Sequence, residues 1–363
     1  LMAYGKSDTN LDNFHKFVSK EVFIELTGIS DEDFKSLRDE GLFNESVFNA
    51  AIKHFLKRKK ELGKYFEQDK DEDIFDYIPP QQTNQIFTPK TVINQMLDIL
   101  EQENPGIFKN PHIKFFDPNM KSGQYITEIA KRLYRNSKDK DINRIIKDQL
   151  FGFAPTKILT DITHEMIFGW ADFKEREKLK NNFPEVNLLT DIKEPNGLRD
   201  RITEVYGEDM KFDVIIGNPP YQENDNGVRE NGMVNASASP IYQYFVDEAK
   251  KISKIQCFVI PSRWMSGAGK GLKKFSLEML EDHSIKRFKL FLNPKDVFPD
   301  NDVKGGICYF VRDNMYSGKT NIEIKTDHES RSYFGFLLNP NSHTFIPFKE
   351  LSDILEKVSK KED

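Results

Sequence analysis

Phe212-Asp213-Val214-Ile215-Ile216-Gly217-Asn218-Pro219-Pro220-Tyr221 is the stretch on which the reading of this chain turns. A strand-like apolar run stops at Gly217, and the next four residues set a side-chain amide, two prolines and an aromatic ring side by side. A strand that is apolar without alternation suits a parallel sheet covered on both faces. In an open sheet of that kind ligands bind beyond the carboxyl ends of the strands, so Asn218, Pro219, Pro220 and Tyr221 are expected to face a crevice.

The surrounding pattern supports such a sheet. Upstream, residues 113–116 form a short apolar run ending in Asp117-Pro118, followed by a helix in which Ile126, Ile129, Ala130 and Leu133 share one face. Strand-like runs recur at 149–153, 186–189 and 256–260, separated by helices after Thr156 and over 240–251. Strands alternating with helices imply βαβ units and an α/β fold with a mostly parallel sheet. Two later runs, 285–291 and 307–311, flank a loop holding Pro294, Pro299 and Gly305-Gly306, and are expected to pair antiparallel at one sheet edge.

Ile86-Phe87-Thr88-Pro89 leads into a helix over 91–100, with Thr88 suited to cap it and Pro89 to occupy its first turn. Residues 10–70 read as helices, among them a run with Phe14, Phe17, Val18 and Val22 on one face, and a polar, proline-bearing linker follows at 77–84. The segment 223–239 is rich in Asn, Gly and Ser and is expected to be a long mobile loop. The expected organisation is a helical segment over 1–80, an α/β domain over 81–326 and a C-terminal extension over 327–363.

Composition narrows the class. The chain has 363 residues, 30 of them Phe, with 31% charged, which describes a globular protein whose apolar surface is carried by large aromatics. No apolar run approaches the ~20 residues a membrane span needs, and no signal-peptide pattern opens the chain, so no membrane partner and a cytoplasmic location are expected. Cys257 and Cys308 lie in strand-like runs and read as buried reduced thiols. A zinc-binding helical pair is absent, because His164-Glu165 has Phe168 where the second histidine belongs, so no metal is expected.

The formal net charge is −5, yet between residues 250 and 295 eleven Lys or Arg stand against Glu278, Glu281 and Asp282. A one-sided phosphate-binding cleft and a solvated helix face both fit that stretch. Its candidate nucleic-acid contacts are Arg263, Lys270, Lys273 and Lys274.

The chemistry of the quoted stretch is specific. An exocyclic amine on a nucleobase is a poor nucleophile, because its lone pair is delocalised into the ring. The Asn218 side-chain oxygen and the Pro219 carbonyl are two acceptors that can each take one amine hydrogen, freeing the lone pair for attack on an activated methyl group. The prolines fix the backbone that carries the carbonyl, so little reorganisation is needed. Tyr221 offers a flat face for a base, a contact that contributes on the order of 1–3 kcal/mol in stacking proteins. A duplex hides this amine, so the base must be flipped out or already single-stranded.

Asn218-Pro219-Pro220-Tyr221 resembles the catalytic motif of amino-methyltransferases, and Asp117-Pro118 followed by Ser122-Gly123 resembles their cofactor loop after the first strand. Phe87-Thr88-Pro89 is similar to the segment preceding that loop in the gamma-class adenine-N6 DNA methyltransferases of restriction-modification systems. Ile260-Pro261-Ser262-Arg263-Trp264 and the block 303–310 resemble later segments of a branch that includes fused restriction-modification enzymes. The likeness covers roughly residues 85–315 in matching order.

It implies a Rossmann-like, S-adenosylmethionine-dependent methyltransferase acting on double-stranded DNA with a flipped adenine. By that likeness Phe87, Thr88, Pro89, Asp117, Pro118, Ser122, Gly123 and Asn218 would contact the cofactor, with Phe153 at the end of the second strand and Asp191 meeting its adenine amine. Specificity would come from a specificity or restriction subunit or from further domains of a longer polypeptide. Fewer than 40 residues follow Thr326, too few for a separate target-recognition domain, and Leu1 stands ahead of Met2.

Two positions depart from the family pattern. Lys121 stands where the loop's first glycine is expected, and Gly152-Phe153-Ala154-Pro155 supplies no acidic residue for the cofactor ribose; both point to a variant pocket. A catalytically silent DNA-binding or subunit-docking module, an RNA-base methyltransferase and a protein-glutamine methyltransferase are the rival readings. The segment 267–271 lacks the glycine and Ser/Thr of a phosphate loop, and the carboxylates of 299–304 stand too close together for a metal-dependent nuclease triplet.

Overall fold

The computed structural model describes residues 30–41, 86–168, 175–222, 239–267, 271–299, 303, 305–339, 345–348, 350, 351, 354, 357 and 358. The chain divides into two compact units, one of residues 1–65 with 169–172, the other of 66–168 with 173–363. In the first, the described part is helix α1 (Asp31–Asp39); the remainder of the helical segment expected over 10–70 lies outside the described residues.

The second unit is built on an eight-stranded sheet. Its strands are β1 (Phe115–Asp117), β2 (Leu150–Gly152), β3 (Phe212–Gly217), β4 (Ser253–Pro261), β5 (Ile285–Phe291), β6 (Ile307–Asp313), β7 (Thr320–Lys325) and β8 (Ser330–Gly335). They lie in the order β2-β1-β3-β4-β6-β5-β7-β8. The pairs β1–β2, β1–β3, β3–β4 and β5–β7 are parallel; β4–β6, β5–β6 and β7–β8 are antiparallel.

Helix α2 (Lys90–Glu103) packs on β6 and on α3 (Gln124–Asn136), and α4 (Ile142–Gln149) leads into β2. Helices α5 (Lys157–Phe168), α6 (Arg176–Leu179) and α7 (Gly197–Tyr206) carry the chain back to β3, and α8 (Tyr242–Ile252) links β3 to β4, against which it packs. Helix α9 (Leu272–Leu280) precedes β5.

Because β1 has β2 on one side and β3 on the other, the winding reverses between β1 and β3. That makes the carboxyl ends of these two strands the topological switch point, where open α/β sheets bind ligands. The core behind it is aromatic: the Phe116 and Phe212 rings stack at 4.5 Å, and Phe153 meets Phe116 edge-on at 5.0 Å.

Three expectations are corrected. Residues 186–189 do not form a third strand: Glu185 makes a single parallel bridge to Ala154, after which Leu188 and Ile192 bury their side chains from a turn. β5 and β6 do pair antiparallel, but inside the sheet; β7, whose Thr320, Ile322 and Ile324 alternate inward, adds beside β5, and β8 forms the edge. Residue 326 therefore falls inside the β7–β8 hairpin. Thr88 does not cap α2; Pro89 is the cap residue, without a side-chain bond, and the Thr88 hydroxyl is used elsewhere.

Candidate active site

Asn218 follows the last residue of β3 and is 3% exposed. Its Nδ2 donates to the Ile86 carbonyl and to Thr88 Oγ1, both at 3.1 Å. A carbonyl can only accept, so this pairing fixes which way the amide faces. It leaves Asn218 Oδ1 buried with no hydrogen-bond partner. A buried acceptor without a donor costs on the order of 1–3 kcal/mol, and such a group marks a place where a donor is expected.

The loop after β1 forms the facing wall. Asp117 is 3% exposed, and its Oδ1 accepts from the Asn119 backbone N–H at 3.0 Å. Burial raises its pKa to about 7, against the opposing pull of that hydrogen bond and of the Lys121 charge. Asp117 lies against β3: a Cβ on Gly217 would sit 2.6 Å from its Oδ1, so only glycine lets the carboxylate approach this closely. The loop is pinned to the end of β2 by Met120 N–H to the Phe153 carbonyl at 2.7 Å and Phe153 N–H to the Asp117 carbonyl at 2.9 Å. Gly123 ends the loop with φ +74°, a left-handed conformation that allows α3 to start there.

The structure gathers Phe87, Thr88, Asp117, Ser122, Gly123 and Asn218 around one cavity, together with Ile93, Asn119, Lys121, Gln124 and Tyr125. Pro89 and Pro118 adjoin these residues in sequence. Lys121, read from sequence as a departure, reaches across: its Nζ donates to the Ile86 carbonyl at 2.9 Å and lies 6.0 Å from the centre of the Tyr221 ring. Tyr125 brings its hydroxyl to 3.4 Å from Thr88 Oγ1, a contact no motif announced.

Tyr221 sits edge-on to Tyr242 and Phe298, with ring centroids 6.4 and 6.5 Å apart. Phe298 was missed at the sequence level because it comes from a proline-bearing turn. Gln222 bridges to Pro240, closing the base of the segment 223–238, which lies outside the described residues.

Two proposed cofactor residues stand apart. The Phe153 ring is fully buried and stacks on Tyr206, so it is the backbone of this residue that serves the loop. Asp191 is held by Arg201 Nε at 2.7 Å and is not among the residues lining the cavity.

Of the proposed nucleic-acid contacts, Arg263 lies in the turn Ser262–Ser266 after β4, Lys273 and Lys274 are exposed on α9, and Lys270 lies outside the described residues. Much of the basic stretch is ion-paired: Lys251 with Glu248, Lys274 with Glu278, Lys286 with Glu103, and Arg287 and Lys289 with Glu323.

A doubly wound sheet with an Asn-Pro-Pro-aromatic tip facing a loop that ends in Gly123 defines a Rossmann-like methyltransferase. Residues 119–298 match the Eco57I restriction-modification methylase family.

A Mycoplasma pneumoniae protein described as "Uncharacterized adenine-specific methylase" is 27% identical, aligned over 79% of this chain and 82% of its own length. Among solved structures, the DrdV–DNA complex superposes with a TM-score of 0.51 at 16% identity, over 72% of this chain and 31% of that one. The ATP-dependent Type ISP restriction-modification enzyme LlaBIII bound to DNA also gives 0.51, at 15% identity, over 88% of this chain and 25% of that one. The chain thus spans about a third or less of these two solved proteins. Among the described residues no helix is long and apolar enough to cross a membrane.

Proposed function

We propose that this chain transfers a methyl group from S-adenosylmethionine to the exocyclic N6 amine of adenine in DNA, as the modification component of a restriction-modification system. The observation that carries this reading is the unpartnered Asn218 Oδ1, buried at the tip of β3 in the wall of the cavity it shares with the Asp117 loop. An amine hydrogen is the donor that atom lacks.

The residues fit a methyl donor that is cationic at sulfur and carries an ammonium group. Asp117 is a buried carboxylate with a single backbone donor described on its side chain, and a cation beside it would offset the burial that now raises its pKa. Thr88 and Asn218 would hold the donor from one side, and Asp117, Ser122 and Gly123 from the other. Bound there, S-adenosylmethionine supplies an electrophilic methyl group, so no covalent enzyme intermediate and no catalytic cysteine are required. Asn218 Oδ1 and the Pro219 carbonyl hold the amine hydrogens, while Tyr221, backed by Tyr242 and Phe298, stacks the extruded base.

The match to a restriction-modification methylase family supports DNA as the substrate, and the relative described as an adenine-specific methylase supports adenine. Choice of site in the DNA is assigned to a specificity or restriction subunit, or to further domains, in keeping with the much greater length of the solved neighbours. Incubation with labelled S-adenosylmethionine and mixed-sequence duplex DNA, followed by nucleoside analysis, should yield N6-methyladenine. Adenine left unlabelled, with label recovered in RNA or in protein glutamine when these are supplied instead, would replace this reading with one of its rivals.

A further inference from the structure

Lys121 occupies the position that opens the family's loop with a glycine, and it lines the cavity around Asn218. Among the attachments of its ammonium inside the site are the Ile86 carbonyl at 2.9 Å, the face of Tyr221 at 6.0 Å and the field of the buried Asp117. A carbonyl, a carboxylate and an aromatic face form a cation-binding environment. The Ile86 carbonyl is shared with Asn218 Nδ2, so Lys121 is tied to the residue that carries the site's chemistry. With the lysine in place the cavity is about 20 Å³, room for a water-sized group and not for a nucleoside.

We propose that Lys121 sets the pocket's selectivity between charged and uncharged cofactor forms: in the ligand-free protein its ammonium holds the place of the donor's positive charge, and donor binding exchanges one cation for the other. This rests on the methyl-donor reading above and deepens it. A sulfonium beside the carbonyl and carboxyl that the ammonium now occupies meets that charge directly, so the lysine must leave the Ile86 carbonyl before a sulfonium enters. The spent cofactor, S-adenosylhomocysteine, is neutral at sulfur and meets less repulsion from the displaced ammonium. The lysine therefore weakens binding of the donor more than binding of the product.

Calorimetric titration of the wild type, Lys121→Met and Lys121→Arg with each of the two cofactor forms tests this. Lys121→Met should bind S-adenosylmethionine roughly tenfold more tightly, the equivalent of one net hydrogen bond to a charged group, with a smaller gain for S-adenosylhomocysteine. Lys121→Arg, which keeps the charge, should stay near the wild type for both. Weaker donor binding by Lys121→Met, or an equal gain for both ligands, would overturn the inference while leaving the methyltransferase reading intact. Failure of all three proteins to bind either form, with their folding verified by circular dichroism, would remove both together.

Discussion

Two concavities among the described residues of the catalytic unit lie at opposite ends of its strands, and they contrast in a useful way. At the amino ends lies an open groove of about 1450 Å³, bordered by His112, Lys114, Arg144, Lys147, Asn182 and Tyr206. At the carboxyl ends lies the cavity of about 20 Å³ around Asn218. In the broad groove the polar groups already serve one another: Asn182 Nδ2 donates to the Ile146 and Leu150 carbonyls, Gln149 Nε2 to those of Asn110 and Ile113, and the Tyr206 hydroxyl to Asn182 O. In the narrow cavity a buried amide oxygen has no partner and a buried carboxyl is held near neutrality. The proposed site is marked by unmet chemical need and not by volume.

The largest test of that contrast is Asn218→Ala. It removes the unpartnered acceptor, and loss of one preorganised group of this kind typically lowers turnover by about 10²–10³. Transfer to DNA should fall by that order, while the donor dissociation constant rises only a few-fold, because the Asp117 loop remains. The structure adds a reason for the few-fold change: Asn218 Nδ2 also tethers Ile86 and Thr88 over the cavity. Near-normal transfer in single-turnover assays would show that the acceptor at the β3 tip is not the reacting group's partner.

A second, smaller effect follows from Asp117. The folded protein holds its proton up to about pH 7, against a reference value of 3.8, chiefly because the carboxyl is buried. Between those values the folded form binds more protons than the unfolded chain, so stability must fall as pH rises across the window. The shift at face value corresponds to on the order of 4 kcal/mol. Urea midpoints measured from pH 4.5 to 7.5 should decline for the ligand-free wild type and stay flatter for Asp117→Asn. Parallel profiles for the two proteins would mean that Asp117 carries no excess proton.

The same contrast explains what the sequence disclosed. The β3 run and its Asn-Pro-Pro-Tyr tip were legible because the strand is continuously apolar and two prolines leave the chain few conformations. The partners were harder to read. Thr88 has the composition of a helix cap, but its hydroxyl is drawn to Asn218, 130 residues away, a contact no local rule supplies. Lys121 was legible only as a departure from a glycine loop, and its reach to Ile86 spans 35 residues. Residues 186–189 failed as a strand because Leu188 is buried, and Val186 and Leu189 half-buried, from a turn, which period counting cannot distinguish from a ladder. β7 alternates cleanly, yet it lies beyond the last motif of the family, where the reading gave its residues no place in the sheet.

The smallest effect belongs to the broad groove. Arg144 lies on α4, with Nε 2.6 Å from Asp139 Oδ2, and side chains that are 28% and 47% exposed respectively. Solvent and salt screen such a pair, and the guanidinium's bonds to Ser137 Oγ and Gln149 Oε1 are long at 3.4 Å, so Arg144→Ala removes contacts that water replaces readily. Among the described residues no hydrogen bond links this guanidinium to the lining of the Asn218 cavity, which opens at the other end of the strands. Methyl transfer and donor affinity should therefore stay within about twofold of the wild type, the usual range for a surface change away from a site. A tenfold loss of transfer with an unchanged melting curve would show that the groove takes part in binding substrate, and volume would then have been the better guide after all.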